Sequence, residues 1–141
     1  KSLQHLLGTG MTNNHLRLID ANLNRLREGI RVVEDIFRYL LNDKETAKRL
    51  KALRHSSRID IYDSLLDSRD IKNDVLKKST ESEQSRVDVK SVLIANFKRA
   101  QESSRVMEEF GKLIDTQTSE NFKYIRYELY DIEKNITNIK L

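Results

Sequence analysis

Residues 21–36 and 95–110 are two copies of one pattern, Ala-Asn-x-x-Arg-x-x-Glu-x-x-Arg-Val-x-Glu followed by an acidic and an apolar residue, set 74 positions apart. Seven of the sixteen positions are identical: Ala21/Ala95, Asn22/Asn96, Arg25/Arg99, Glu28/Glu102, Arg31/Arg105, Val32/Val106 and Glu34/Glu108. Spacings of three and four are helical. The chain is therefore expected to be all-α, a bundle of about four main helices built from a duplicated helical hairpin with pseudo-two-fold symmetry. Two copies at this period are too few for a solenoid.

Proline is absent and glycine occurs four times, so polar clusters must mark the turns and the helices should be long. A first helix opens near Thr12 or Asn13, with Ile19, Leu23, Leu26, Ile30, Val33, Phe37 and Leu40 on one stripe. Asn42-Asp43 breaks it. Asp43 can cap a second, less apolar helix carrying Ala47, Leu50, Leu53, Ser57, Ile61 and Leu65. A polar loop, 67–87, follows, with only Ile71, Val75 and Leu76 to anchor it, and a connection of that length is usually functional or disordered. A third helix starts near Asp88 and runs past Leu113. The last follows 116–119 and carries Phe122, Ile125, Leu129, Ile132, Ile136 and Ile139.

The repeat halves are thus about 13–66 and 88–139, within a single domain at 11–141. At 141 residues one core is the default. Residues 1–10 are expected to be a tag-derived or disordered leader, because Met11 suits a native start and no signal-peptide pattern precedes it. Cysteine is absent, which excludes disulfides and thiolate metal sites, and a cytoplasmic setting is expected. Charged residues make up 34% and the apolar runs are a few residues long, far short of the roughly 20 a bilayer span needs, so no membrane is expected. The net charge of +4 permits an anionic partner. Basic and acidic residues are interspersed, which favours small phosphates over nucleic acid.

On a helical wheel of about 100° per residue, Leu18, Gly29, Val32 and Ile36 widen the apolar arc of the first helix until Asn22 and Arg25 fall inside it. Asn96 and Arg99 are placed alike in the second copy. Glu28 and Glu34 sit at opposite edges of the arc, and Arg31 lies outside it. A guanidinium on an apolar face stays charged and must meet an anion. Two anions are available: Glu28 and Glu102, three residues on, in a buried structural network, or a phosphate bound bidentately by Arg25 and Arg99.

Other residues carry weaker signals. Asp70 and Asp74, beside Arg69, could hold a divalent ion or order a lid, or simply form a solvated turn. Arg54-His55 lies on the second helix, where a lone histidine is ordinarily structural or on the surface. Tyr124, Tyr127 and Tyr130 lie off the apolar stripe and either stack on a ring or border the core. The chain has no glycine-rich phosphate loop, no metal-spaced histidine pair and no nucleophile elbow.

The run from Arg17 through Asp20-Ala21-Asn22, Asn24-Arg25, Arg27-Glu28-Gly29 and Arg31-Val32 to Glu34-Asp35 resembles the opening of a helical domain fused ahead of thiamine-phosphate synthase in some bacteria. Leu53-Arg54-His55, Arg69-Asp70-x-x-x-Asp74-Val75, Ala95-Asn96-x-Lys98-Arg99-x-x-Glu102-x-x-Arg105-Val106-x-Glu108-Glu109 and Tyr127-x-x-Tyr130-x-x-Glu133 extend the likeness over nearly everything after Met11. The family resembled is the second, non-ribokinase type of hydroxymethylpyrimidine-phosphate kinase. That resemblance implies conversion of the pyrimidine phosphate to its diphosphate with ATP and magnesium, in a protein that is free-standing or an excised domain. It implies Arg25, Arg99 and Lys98 on phosphates and Glu28, Glu102, Asp70 or Asp74 on the metal, with Arg25, Glu28, Arg99 and Glu102 as the catalytic set. Asn22, Asn96, Arg31, Arg105, His55, Arg69 and Tyr127 would complete the substrate site. A homodimer is compatible with it. The competing expectation is a non-catalytic accessory, ligand-binding or oligomerisation module of a thiamine-phosphate synthase.

Overall fold

The computed structural model describes residues 10–59, 62–79 and 86–141. Its elements are helical throughout, and no strand occurs among the described residues: α1 Asn13–Asp35, α2 Lys44–Ser56, α3 Tyr62–Ser68, α4 Val89–Gly111 and α5 Thr116–Glu133, with a π-helical turn Ile36–Leu40 and a 3-10 turn Ile136–Asn138. The expected bundle of four long helices is present. The expected leader falls outside the described residues except for Gly10.

Each long helix begins where a side chain can satisfy the free amides of its first turn. Thr12 accepts the His15 amide at 3.3 Å while His15 Nδ1 accepts the Thr12 amide at 3.0 Å, a reciprocal capping box. Asp43, Asp88 and Asp115 accept the amides of Thr46, Ser91 and Thr118 at 3.1, 2.8 and 2.7 Å. The Ser91 amide, then its hydroxyl, holds the Asp88 carboxyl below its usual range. A depressed carboxylate stabilises the fold above its unfolded pKa of about 3.9 and loses that contribution as pH falls through the lower folded value. Asp88→Ala is expected to lower Tm by a few degrees at neutral pH, and the gap between variant and parent should close as both are acidified below the carboxylate range; parallel melting curves at several pH values measure it.

The core is one cluster. α1 contributes Leu16, Ile19, Leu23, Leu26, Ile30 and Val33; α4 contributes Leu93, Phe97, Ala100 and Met107; α5 contributes Phe122, Ile125, Leu129 and Ile132. The two long first helices of the hairpins, α1 and α4, pack on each other, while α2 and α3 cover α1 and α5 covers α4. Gly29 permits the close approach of α1 to α4. A Cβ added there would stand 3.1 Å from the Asn96 carbonyl oxygen and 3.3 Å from the Ala100 amide nitrogen. These are backbone atoms of a packed helix and cannot swing aside. Alanine normally gains about 1 kcal/mol over glycine inside a helix. Here overpacking should outweigh that gain, so Gly29→Ala is expected to destabilise the fold by about 1 kcal/mol net, read as a lower denaturation midpoint at unchanged m-value.

Four expectations are corrected. Leu40 is 58% exposed instead of closing the first stripe, because the π turn adds a residue per turn and slips the helical phase after Ile36 and Phe37, which stay buried. The second helix does not run on to Leu65. Ser56 and Ser57 both donate their hydroxyls to the Leu53 carbonyl, at 3.0 and 2.7 Å, competing with the helical ladder, and the chain re-enters the core with Leu65 on α3. Ile61 lies outside the described residues. Finally, Ile71, Val75 and Leu76 anchor nothing: they are 69%, 93% and 85% exposed, and the loop is held by polar bonds instead. The third helix also ends slightly early, at Gly111, before a short turn to Ile114.

Candidate functional site

Most of the repeated polar residues have structural partners, and both hairpins use them alike. Asn22 donates its amide to the Leu18 carbonyl at 2.9 Å, and Asn96 to the Val92 carbonyl at 2.8 Å. Arg31 pairs with Asp35 at 3.3 Å and Arg105 with Glu109 at 3.0 Å. Glu34, its side chain 3% exposed, receives Arg54 Nε and Nη2 from α2 at 2.7 and 3.2 Å. Glu108 receives Arg126 Nε and Nη2 from α5 at 3.1 and 2.9 Å. The Glu34 bond raises the affinity of Arg54 for its proton against the opposing effect of burial, and for Arg126 the Glu108 and Tyr130 bonds prevail over burial, the largest single influence. The buried network anticipated between Arg25 and Arg99 and Glu28 and Glu102 is not the one that forms: the buried pairs are Arg54–Glu34 and Arg126–Glu108.

Arg25 and Arg99 do not lie in the core. Both are exposed, as are Glu28 and Glu102, and among the described residues neither arginine pairs with the glutamate three positions on. The wheel placed them inside the apolar arc because it weighed sequence spacing alone.

Arg25 nevertheless borders a cleft. It and Asn22, Arg69, Asp70 and Asp74 line a depression of about 600 Å³ between α1 and the 69–74 loop, together with Arg17 and Asp20. Asp20 organises it. Its buried carboxylate accepts Arg69 Nε and Nη2 at 2.8 and 2.9 Å and Asn24 Nδ2 at 3.3 Å, tying the loop to α1. Arg17 adds a bond to the Asp70 carbonyl at 3.4 Å. Arg69 thus sets the loop's position as well as facing the cleft.

Asp70 closes a turn by accepting the Asn73 amide at 3.1 Å and the Asn73 side chain at 2.7 Å; these bonds, the side chain first, hold its carboxyl below the ordinary range. Asp74 accepts the Leu76 amide at 3.0 Å through one oxygen. Among the described residues no three Asp, Glu or His side chains converge as a metal-ligand set. This donor set suits magnesium carried on phosphates, which needs one or two protein carboxylates, better than an all-protein cage.

The remaining candidates are spread elsewhere. Lys98 Nζ binds Glu133 at 3.1 Å and Gln101 at 3.3 Å. His55 is exposed at the end of α2, where desolvation, then Arg54, Arg58 and Lys51, hold its pKa below the usual value. Tyr127, 54% exposed, meets Tyr130 edge-on and lies under the Arg126 guanidinium. Neither Arg99 nor Glu102 lines the Arg25 cleft.

Sequence reasoning missed Asp20, Asn24 and Arg17. Each lacks a like residue in the second copy, where Ile94, Lys98 and Ser91 stand. A search guided by repetition finds what both hairpins need to fold. It passes over what only one of them carries.

Fold and cleft together define an all-α protein of duplicated helical hairpins with a polar cleft between α1 and the 69–74 loop. Residues 17–135 match the ThiD2 family, and the chain belongs to it. The thiamine-phosphate synthase of Synechocystis sp. is 40% identical over 126 residues, covering 89% of this chain and 37% of that protein. That of Rhodopirellula baltica is 40% identical over 120 residues, 82% of this chain and 32% of that protein. That of Synechococcus sp. is 41% identical over 128 residues, 89% and 36% respectively. The chain spans about a third of the length of these relatives. No solved structure matches it. Among the described residues no helix is long and apolar enough to cross a membrane.

Proposed function

We propose that this chain is a phosphotransferase of thiamine biosynthesis that converts hydroxymethylpyrimidine phosphate to the diphosphate with ATP and magnesium. Family membership and the names of the relatives support the pathway. The observation that carries the reaction is the cleft in which Arg25 and Arg17 stand beside Asp70 and Asp74 on a loop clamped by Asp20–Arg69.

The nucleophile of this reaction is a phosphate oxygen of the substrate. It attacks the γ-phosphorus of ATP, a P–O bond forms as the bond to the β-phosphate oxygen breaks, and ADP leaves with that electron pair. The second ionisation of a phosphate monoester lies near pH 6, so the nucleophile is already largely charged at neutral pH and needs no general base. The barrier lies in bringing two anions together, which is a matter of positioning and charge neutralisation. Exposed guanidinium groups at a cleft mouth are suited to that. Arg25 and Arg17 would hold phosphate oxygens, and the free carboxylate oxygen of Asp74 would face the magnesium that accompanies the nucleotide and screens its charge. The Asn22 amide is engaged with Leu18, leaving its carbonyl oxygen as an acceptor for the aminopyrimidine. Lys98, Arg31 and Arg105 do not line this cleft.

Incubation with hydroxymethylpyrimidine phosphate, ATP and magnesium should yield ADP and the pyrimidine diphosphate in equal amounts. Folded protein that yields neither, but binds the pyrimidine phosphate, would establish the accessory-module reading instead.

A further inference from the structure

On the far side of the Asp20–Arg69 pair lies a second cleft of about 610 Å³, lined by Asp20, Asn24, Arg27, Ser57, Arg58 and Arg69 with an apolar wall of Leu23, Ile59 and Leu65. Among the described residues its lining is unevenly charged: the guanidinium groups of Arg27 and Arg58 stand beside the Asp20–Arg69 pair, and Asp20 is the one carboxylate described there. Glu34, the next buried carboxylate along α1, is taken by Arg54. The Nε of Arg27 is buried with no hydrogen-bond partner, and it is the one such side-chain atom among the described residues. A buried donor left unbonded costs stability, and more so when it belongs to a charge. Burial, then the charges of Arg58 and Arg54, also works against the Arg27 cation. The Arg27 guanidinium that lines the cleft therefore has a bonding deficit among the described residues, and an anion in the cleft would supply it with a counter-charge.

We propose that this second cleft is a binding site for the phosphoryl group of a small phosphorylated molecule, held by Arg27 and Arg58 with its organic body against Leu23, Ile59 and Leu65. The planar donor fork of a guanidinium matches phosphate oxygens bidentately, and two of them neutralise a dianion. The cleft's size suits a ligand of nucleotide or cofactor dimensions. The site stands whether or not the chain is a kinase, because it rests on Arg27 and its surroundings and not on the Arg25 cleft.

Inorganic diphosphate is the probe, titrated calorimetrically into the Arg25→Ala chain so that the first cleft contributes little. Saturable binding is expected, together with a rise in Tm on adding diphosphate. Adding Arg27→Met should weaken binding about tenfold or more, the usual worth of a charged hydrogen bond, while leaving the Tm of the ligand-free protein equal or higher, since an unpaired cation has been removed from a half-buried site. Adding Arg58→Gln instead should also weaken binding and serves should the Arg27 variant fail to fold. Absence of diphosphate binding by Arg25→Ala protein, or equal affinity with and without Arg27 and Arg58, overturns the proposal. Because ADP formation is not the readout, a chain without kinase activity would leave this result intact.

Discussion

Replacing Glu108 by alanine should destabilise the protein by about 3 kcal/mol, the cost of leaving one member of a buried ion pair without its counter-charge. Arg126 is 12% exposed and would lose both of its bonds to Glu108, at 2.9 and 3.1 Å. Arg105, 3.6 Å from the same carboxylate, would retain Glu109. The faces of Tyr127 and Tyr130, 4.8 and 5.8 Å from the Arg126 guanidinium, compensate only in part. Against a typical total of about 5–15 kcal/mol, such a loss consumes much of the margin. Urea denaturation would show it as a lower midpoint, and Glu34→Ala, which orphans Arg54, should behave alike. Pairing Glu108→Leu with Arg126→Leu should recover much of the stability, because the penalty belongs to the stranded charge. A loss under about 0.5 kcal/mol for Glu108→Ala, the scale of an ordinary surface change, would mean that this pair does not hold α4 to α5.

Arg25→Ala should lower the rate of ADP formation by about a hundredfold or more, as expected when a cation is removed from a phosphoryl-transfer site. Its stability should stay within about 0.5 kcal/mol of the parent, because Arg25 is exposed and makes no ion pair among the described residues. Arg99→Ala, equally exposed but outside the cleft, is the matched control and should retain most of the activity. Steady-state kinetics with varied pyrimidine phosphate, beside a melting curve for each variant, measures both. Equal losses at the two positions would place the reaction at a site shared by the two copies. An Arg25→Ala protein as active as its parent would remove Arg25 from the chemistry.

The duplication, the helical class and three of the long-helix starts were legible because they are local, whereas the last helix starts at Thr116 behind Asp115, ahead of where it was expected. Thr12, Asp43 and Asp88 cap helices through atoms three residues away, and the stripes of α1 and α5 declare their buried faces by spacing alone. Breaks that depend on competition were harder to see. The Ser56 and Ser57 hydroxyls ended α2 where periodicity ran on to Leu65, and the π turn put Leu40 into water.

The site was half legible. Asn22, Arg25, Arg69, Asp70 and Asp74 do meet at one cleft, yet Asp20, which holds it together, reaches Arg69 across 49 positions of chain. No spacing rule reports that distance.

Sequence alone determined that polar residues would repeat, and so which positions both hairpins require. Which of them became partners and which remained free was decided only when α1 met α4 at Gly29 and the neighbouring helices delivered Arg54, Arg126 and Arg69 to their carboxylates. The physical reason is range: capping and amphipathicity act within a turn or two of helix, whereas burial and ion pairing are properties of surfaces that exist only once distant segments are packed together.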